Sequence, residues 1–570
     1  MFSITCLFAL SASLLGILTS GHSPPVFEPP EAGSFSDAYR TNIGVGQDDS
    51  CLMQQLPVAR GISETWARQQ PHSLAGAVHP SYEPLDAQEQ VLEEQGYAKL
   101  RALCIIVCVC SFAALSFGAC FASASRGESK ASTTSLSTLQ SVALLESFLN
   151  NMTVTSILID CANLVEHLGS SLATSGFLIG CTFPLFPVGS ILGWKYLDNV
   201  SSGRQALICA SLFACSGLCC TGYAFNALPH LWLHLNAHAR LGGLFASRIL
   251  FGLAAGFAPY SLDNLARQAT PRSQQAQLGV LSSSCRTAGV GFGPLVGSLA
   301  GLLLGTGASV EVKAAGSQVI LCGAWFALSA WSIVAVPSDL GYLLSEKALA
   351  DGNGQLTPTS KQQELNDSRR WVWIKGITYC IERSLTVSAL EAATSDVLQK
   401  EFGWTREVTG FAVLMSFVAG LPVLLLLNGL RQAGYVDDLP VMKGAAAVCA
   451  LVSLWMVPGV GNVLGLGHTA ECWILLSADA IIFSGAYFVN GLVEAQIVNS
   501  AMPNTFFSLE NSSLFRVAFA TGVGRFLGPG LARVMLETAG RRAYSILQVT
   551  ISCIGLMTVH SLANSAQEAK

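Results

Sequence analysis

After residue 135 the chain is a succession of long apolar runs separated by short polar stretches. A helix needs about 20 mostly apolar residues to cross a hydrocarbon core about 30 Å thick. By that measure twelve runs qualify: residues 138–163, 173–194, 205–227, 241–262, 277–304 and 317–336, then 372–396, 407–430, 440–458, 471–496, 512–536 and 542–563. Lipid offers no partner to a free backbone N–H or C=O, so runs of this length enter it as helices. Only 12% of the residues are charged, against about 25% in an average soluble protein. That leaves too little polar surface for a water-soluble chain of this size, and an all-α membrane protein is expected. The net charge of −5 gives no reason to expect a nucleic-acid partner.

Between the sixth and seventh runs, residues 337–371 include Asp339, Glu346, Lys347, Asp351, Lys361, Glu364, Asp367, Arg369 and Arg370, a composition suited to a solvated linker. The chain thus divides into an N-terminal half (137–336) and a C-terminal half (372–565). With the linker on the cytosolic side, the loops there hold ten Lys and Arg and the opposite loops six, the direction in which positive charge orients membrane proteins. Ahead of the halves, residues 1–20 form a signal-like apolar segment without a preceding Lys or Arg. Residues 21–100, with 11 acidic and 4 basic residues, are expected to be disordered. Residues 101–122 are long enough to add an extra N-terminal transmembrane helix.

The halves repeat each other. Gly289, Gly293, Pro294 and Gly297 give G-x-x-x-G-P-x-x-G in the fifth run, and Gly524, Gly528 and Pro529 give G-x-x-x-G-P in the eleventh. The offset from Pro294 to Pro529 matches, to within one position, the offsets from Glu146 to Glu382 and from Asp160 to Asp396. Small residues four apart let helices approach closely in lipid, and proline bends a helix and frees a carbonyl. Two parallel six-helix bundles, related by a pseudo-two-fold repeat, are therefore expected.

At this point the chain resembles the major facilitator superfamily of transporters. Arg248-Ile-Leu-Phe-Gly252 in the fourth run is similar to that family's R-x-x-x-G motif, and the fifth run to its G-x-x-x-G-P-x-x-G. Gly193, Asp198, Gly203 and Arg204 resemble its G-x-x-x-D-R-x-G-R loop but depart in spacing, with Asn199 where the family has arginine. Asp198 and Arg204 are the gating positions this match offers. Ser247–Pro271 and Glu391–Trp404 are most similar to the branch containing lysosomal and SPX-domain vacuolar transporters, some of which move phosphate or other anions; this chain has no basic SPX module. The resemblance implies alternating access, a small-molecule or ion substrate, no enzymatic activity and no cofactor. A lipid-embedded monomer is expected, and plasma, vacuolar and lysosomal membranes stay open.

Charges inside a membrane are costly and usually face a cavity or a partner. Glu146, Asn150, Thr153, Ile157 and Asp160 fall within roughly an 80° arc of one helix. Ser384, Ser388, Glu391 and Ser395 share a face, as do Asp479, Asn490 and Glu494. The resemblance places the first, fourth, seventh and tenth helices around the solute path, where these stripes fall. Arg248, and behind it Arg383, could neutralise an anion or pair with these carboxylates. Low dielectric favours the neutral form of a carboxyl group, which makes Glu146, Glu391, Asp479 and Glu494 candidates for proton coupling. Arg286, Arg516, Arg525 and Arg533 rank behind these. His230, His234 and His238 recur every four residues, too sparse a set to assign a metal. The alternative function is a channel-like or non-transporting receptor derivative on the same fold.

Overall fold

The structure, a computed structural model, describes residues 95–103, 105 and 136–568 except 198–201, 229–235, 270–271, 306, 336–359, 421–425, 427–428, 431–436, 464–466, 503–504, 509–510 and 513. The signal-like segment, nearly all of residues 21–100 and 101–122, Asp198, His230 and His234 lie outside the described residues. Within the expected disordered region, residues 95–103 are helical, and Gly96 packs closely enough on Ala308 that a Cβ would lie 2.9 Å from the alanine Cβ.

The N-terminal half comprises α1 (Leu136–Thr155, continuing as Leu158–His167), α2 (Leu172–Gly180, continuing as Phe186–Leu197), α3 (Ser202–Ala227), α4 (Ala237–Ala269), α5 (Arg272–Leu304) and α6 (Val310–Ala335). The C-terminal half comprises α7 (Ser360–Lys400), α8 (Arg406–Val418), α9 (Asp438–Val452), α10 (Gly467–Asn499), α11 (a π-helical start at Leu514–Ala520 running to residue 539) and α12 (541–568). All twelve expected runs fall on these segments. Eight described helices are long and apolar enough to cross a membrane, one of them the run Leu514–Glu568 that holds both α11 and α12. The other three segments miss that measure for local reasons. Of α8 only Arg406–Val418 is described as a continuous helix, α2 is in two pieces, and α7 has Glu382, Arg383 and Glu391 in its apolar middle. The C-terminal end of the expected linker, from Ser360, belongs to α7.

The breaks follow from the sequence. In α1 the hydroxyls of Thr153, Thr155 and Ser156 donate to the carbonyls of Leu149 (2.8 Å), Asn151 (2.9 Å) and Thr153 (3.0 Å). Such back-bonding competes with the helical ladder and bends it, and α1 turns at Ser156–Ile157. In α2, Pro184 and Pro187 remove two backbone donors, and the helix is interrupted over residues 181–185. Between α11 and α12 the chain turns at Gly540, whose φ of 74° suits glycine.

The repeat is visible in the packing. Gly289 and Gly293 of α5 lie against the Phe148 and Met152 carbonyls of α1, while Gly524 and Gly528 of α11 lie against those of Ile381 and Leu385 in α7. A Cβ at Gly293, Gly524 or Gly528 would sit 2.7, 2.8 or 2.8 Å from the facing oxygen. Thr155 Oγ1 donates to the Val290 carbonyl at 3.0 Å, and Ser388 Oγ to that of Gly524 at 3.2 Å. The glycine motifs therefore set close helix contact inside each half. Around these pairs lie separate apolar cores: Phe213, Phe251 and Trp325 in one half, and Val372, Trp373 and Val559 in the other. Gly293→Leu and Gly528→Leu should each lower the thermal unfolding temperature of the purified protein, with an overpacking cost of about 1–3 kcal/mol, whereas Gly242→Ala, with open space at its Cβ position, should leave it nearly unchanged.

Candidate functional site

Among the described residues, the hydrogen bonds and ion pairs joining the halves gather toward the end opposite the linker. Arg406 at the start of α8 meets the Asp160 carboxylate of α1 through two nitrogens, one of them at 2.5 Å. Lys400 at the end of α7 pairs with Glu166, and Lys313 of α6 stands 4.0 Å from Glu407. Asn163 Nδ2 donates to Gln399 Oε1 at 3.1 Å, and Gln399 Nε2 to the Ile159 carbonyl at 3.2 Å. The Ala173 amide, in the first turn of α2, donates to Glu537 Oε2 at 2.7 Å; a carboxylate there also complements the helix dipole.

Deeper along the same interface, Arg533 of α11 is fully buried. It donates to the carbonyls of Leu158 (3.3 Å) and Ala392 (3.5 Å) and to the Ser175 hydroxyl, joining α1, α2 and α7. Two backbone contacts flank it. A Cβ at Gly176 of α2 would lie 2.5 Å from the Pro529 carbonyl oxygen of α11, and one at Gly410 of α8 would lie 2.7 Å from that of Pro294 in α5. Gly176 and Gly410 correspond under the repeat, as Pro294 and Pro529 do, so one contact is made twice.

At the centre, Glu391 of α7 pairs with Arg525 of α11 at 3.2 Å, and the same guanidinium nitrogen donates to the Tyr487 hydroxyl of α10 at 3.1 Å. Arg525 also lies 5.7 Å from the ring centroid of Phe183, which belongs to the other half. Arg383 sits over Tyr487, 4.9 Å from the ring centroid, and is only 8% exposed. Among the described residues its guanidinium has no hydrogen bond and no carboxylate within 4.0 Å, and its Nε is buried without a partner. The remaining buried arginines differ. Arg240, Arg516, Arg525 and Arg541 face carboxylates, and Arg248 and Arg533 face helix carbonyls.

The other sequence candidates are distributed around this centre. Glu146 and Asn150 are buried on α1, and Asn150 makes no side-chain hydrogen bond among the described residues. Arg248 donates to the Thr153 and Val154 carbonyls at 3.2 and 3.1 Å, which are freed where α1 bends, and does not meet a carboxylate. Asp479 accepts from Thr394 inside the C-terminal half. Asn490 Nδ2 donates to Glu494 at 2.8 Å, and Glu494 pairs with Arg516 at 2.5 Å, toward the linker end. Gly297 packs on Ile159 and Ser156 of α1. Arg204 lies in α3 with its side chain outside those described. His238 is exposed at the start of α4, and no group of three metal-ligating side chains occurs among the described residues.

By sequence Arg525 and Arg533 rank low, and Lys400 and Arg406, between the runs 372–396 and 407–430, are two of the six loop charges opposite the linker. The repeat holds one usable signal, since Gly176 and Gly410 are offset like the two motif prolines, to within one position.

Two six-helix halves meeting around buried charge define the architecture of a secondary transporter. The chain belongs to the Major Facilitator Superfamily, whose sequence profile it matches over residues 136–529. It is a multi-pass integral membrane protein. Among solved structures it is similar to a POT family transporter in complex with 5-aminolevulinic acid, at 17% identity and TM-score 0.51 over 76% of this chain and 96% of that one. The xylose transporter XylE from E. coli in a partially occluded inward-open conformation is similar at 14% identity and TM-score 0.50, over 75% and 98%. A D-xylose-proton symporter is similar at 14% identity and TM-score 0.51, over 75% and 96%. These identities speak for the fold alone. A comparison with curated protein sequences finds no match.

Arg406→Gln should weaken the seal. With spin labels on α2 and α8 at the end opposite the linker, the inter-label distance distribution should gain a longer component, its population rising several-fold for a loss of about 1–2 kcal/mol. Gly410→Val, which drives a side chain onto the Pro294 carbonyl, should move the same distribution in the same direction.

Proposed function

We propose that the protein is a secondary active transporter that moves a small anionic solute by alternating access, with Arg383 receiving the solute's negative charge. The observation that supports this reading is a guanidinium with no carboxylate in contact. A cation held this deep without a counter-ion against it is costly unless an anion visits it. Arg383 lies on α7 beside Tyr487 of α10, two helices that line the solute path in the family. Asn150, whose amide makes no hydrogen bond among the described residues, is the companion candidate from the N-terminal half.

Glu391 is the proposed coupling group. Protonation of its carboxyl removes the charge that holds Arg525, and Arg525 then keeps Tyr487 as a partner while gaining freedom to meet the solute. A proton-driven cycle of this kind agrees with the fold's occurrence in a D-xylose-proton symporter. In the conformation described, the end opposite the linker is closed, and solute exchange is assigned to the linker end. The reverse state requires the Asp160–Arg406, Glu166–Lys400 and Lys313–Glu407 pairs to part while the halves rock about their mutual contacts.

Uptake by purified protein in proteoliposomes tests this. A panel of inorganic anions, mono- and dicarboxylates, sugars and amino acids should yield saturable exchange of an anion. Arg383→Gln should reduce it at least tenfold, on the scale of one charge-assisted hydrogen bond at about 1.5–3 kcal/mol, and Arg383→Lys should retain part of it. Transport only of neutral solutes, unaffected by Arg383→Gln, would overturn the anion assignment; ion conductance without saturable exchange would make the protein channel-like. Glu391→Gln should preserve solute exchange while abolishing accumulation driven by a proton gradient.

A further inference from the structure

At the linker end of the C-terminal half, α12 carries an open groove of about 480 Å³ lined by Leu556, Met557, His560, Ser561 and Asn564, and α7 and α9 hydrogen-bond to its polar end. Two ammonium groups flank it. Lys375 of α7 donates to Ser565 Oγ at 2.8 Å and to the Ser561 carbonyl at 3.3 Å, and lies 5.7 Å from the ring centroid of Trp371. Lys443 of α9 donates to Asn564 Oδ1 at 3.0 Å. Neither lysine has a carboxylate within 4.0 Å among the described residues. The nearest acids on α7 have other partners, since Asp367 pairs with Arg370 and Glu382, packed at Gly555 of α12, accepts from Thr386. Asp437 and Asp438 at the head of α9 and Glu568 at the end of α12 pair with neither lysine.

The depth of the groove identifies its solvent. Lys443 stands five residues after Asp438 and Asn564 four before Glu568, or about 6–8 Å from the helix ends at 1.5 Å per residue. In a helix that crosses the membrane, that distance from its end corresponds to the headgroup level of one leaflet. Deeper into the membrane from the lysines, the groove becomes apolar at Leu556 and at Met557, which is 64% exposed. Trp371, on the same face as Lys375, is exposed, as aromatic side chains at a membrane interface commonly are.

We propose that this groove is a binding site for an anionic phospholipid, with its phosphate between Lys375 and Lys443, His560 and Asn564 beside the headgroup, and an acyl chain along Leu556 and Met557. Charge complementarity carries the assignment, because two uncompensated cations and an apolar floor match an anionic headgroup joined to a hydrocarbon tail. Basic pockets between transmembrane helices recognise acidic headgroups in the same way.

Native mass spectrometry of the full-length protein in detergent with mixed phosphatidylcholine and phosphatidylglycerol tests the site. The wild type should retain phosphatidylglycerol over phosphatidylcholine by roughly tenfold or more, as expected of two lysines at a membrane surface. Lys375→Gln with Lys443→Gln should bring the two lipids to parity, and the double Arg variant should restore the preference. Lys443→Gln alone should give an intermediate ratio and keeps the test valid if the Lys375 change disturbs packing. Parity in the wild type, or a preference surviving both Gln substitutions, would overturn the proposal. Displacement of the lipid by inorganic phosphate at equal concentration would overturn the lipid assignment, because the tail would then contribute nothing.

Discussion

The break in the middle of α1 is the constraint on which the rest of the structure depends. A helix that bends inside a hydrocarbon core leaves carbonyls without ladder partners, and lipid cannot supply donors. Here donors to the carbonyls come from three other helices, and a fourth, α6, donates to the hydroxyls at the bend. Arg248 of α4 takes the Thr153 and Val154 carbonyls, and Trp325 and Gln318 of α6 donate to the Thr153 and Ser156 hydroxyls. Beyond the bend, the Leu158 carbonyl receives Arg533 of α11 and Ser395 of α7, and the Ile159 carbonyl receives Gln399, also of α7. The same short stretch, Thr153 to Ile159, thus secures the N-terminal bundle on one side and meets the C-terminal bundle on the other. Arg248 belongs to this support, which explains why a motif arginine in a helix assigned to the solute path turns toward backbone.

Charge follows the same logic. Within the halves, Arg240–Glu311, Arg516–Glu494 and Arg541–Glu471 satisfy buried cations locally. Between the halves, Glu166–Lys400 lies at the surface opposite the linker, whereas Asp160–Arg406 beside it is buried, with Asp160 only 1% exposed. Surface ion pairs are worth about 0–1 kcal/mol, so Glu166–Lys400 can exchange its protein partner for water at modest cost. Parting a buried pair strands a charge at about 3–5 kcal/mol unless water reaches it. Asp160–Arg406 is therefore the stronger tie at the closed end, and opening that end requires water to enter between the halves.

Much of this is legible in the sequence, and the limits have physical causes. Run length and the internal repeat define twelve segments and two halves because hydropathy and glycine spacing are local properties. Glu391 is legible as a costly charge in an apolar run. Its partner is not, because Arg525 lies 134 residues away and follows a glycine motif that suggests packing alone. Arg406 and Lys400 look like loop charges because each sits at a helix end, and only the approach of α1 to α7 and α8 turns them inward. By sequence Arg383 ranks behind Arg248; in the structure Arg248 is held by backbone carbonyls, while Arg383 makes no hydrogen bond among the described residues. Periodicity says which face of a helix a residue occupies and leaves unsaid whether a backbone carbonyl already waits there. The bend that consumes Arg248 comes from three hydroxyls in four residues, a pattern visible in Thr153, Thr155 and Ser156.

The two Gly–Pro contacts explain why the repeat should matter for motion as well as for architecture. Gly176 rests on the Pro529 carbonyl and Gly410 on that of Pro294, so the halves touch twice through backbone, with the small Ser298 side chain also against Gly410. Side chains interdigitated across an interface must leave their pockets before the surfaces can turn, and close-packed interiors resist such shifts. A glycine facing a carbonyl has no pocket to leave. Because the contacts derive from corresponding positions, a rotation about the pseudo-two-fold axis that relaxes one relaxes the other equally, and neither bundle needs to deform. The polar seal beside them then sets the closed state's stability, while the paired glycines leave the pivot with little side-chain resistance.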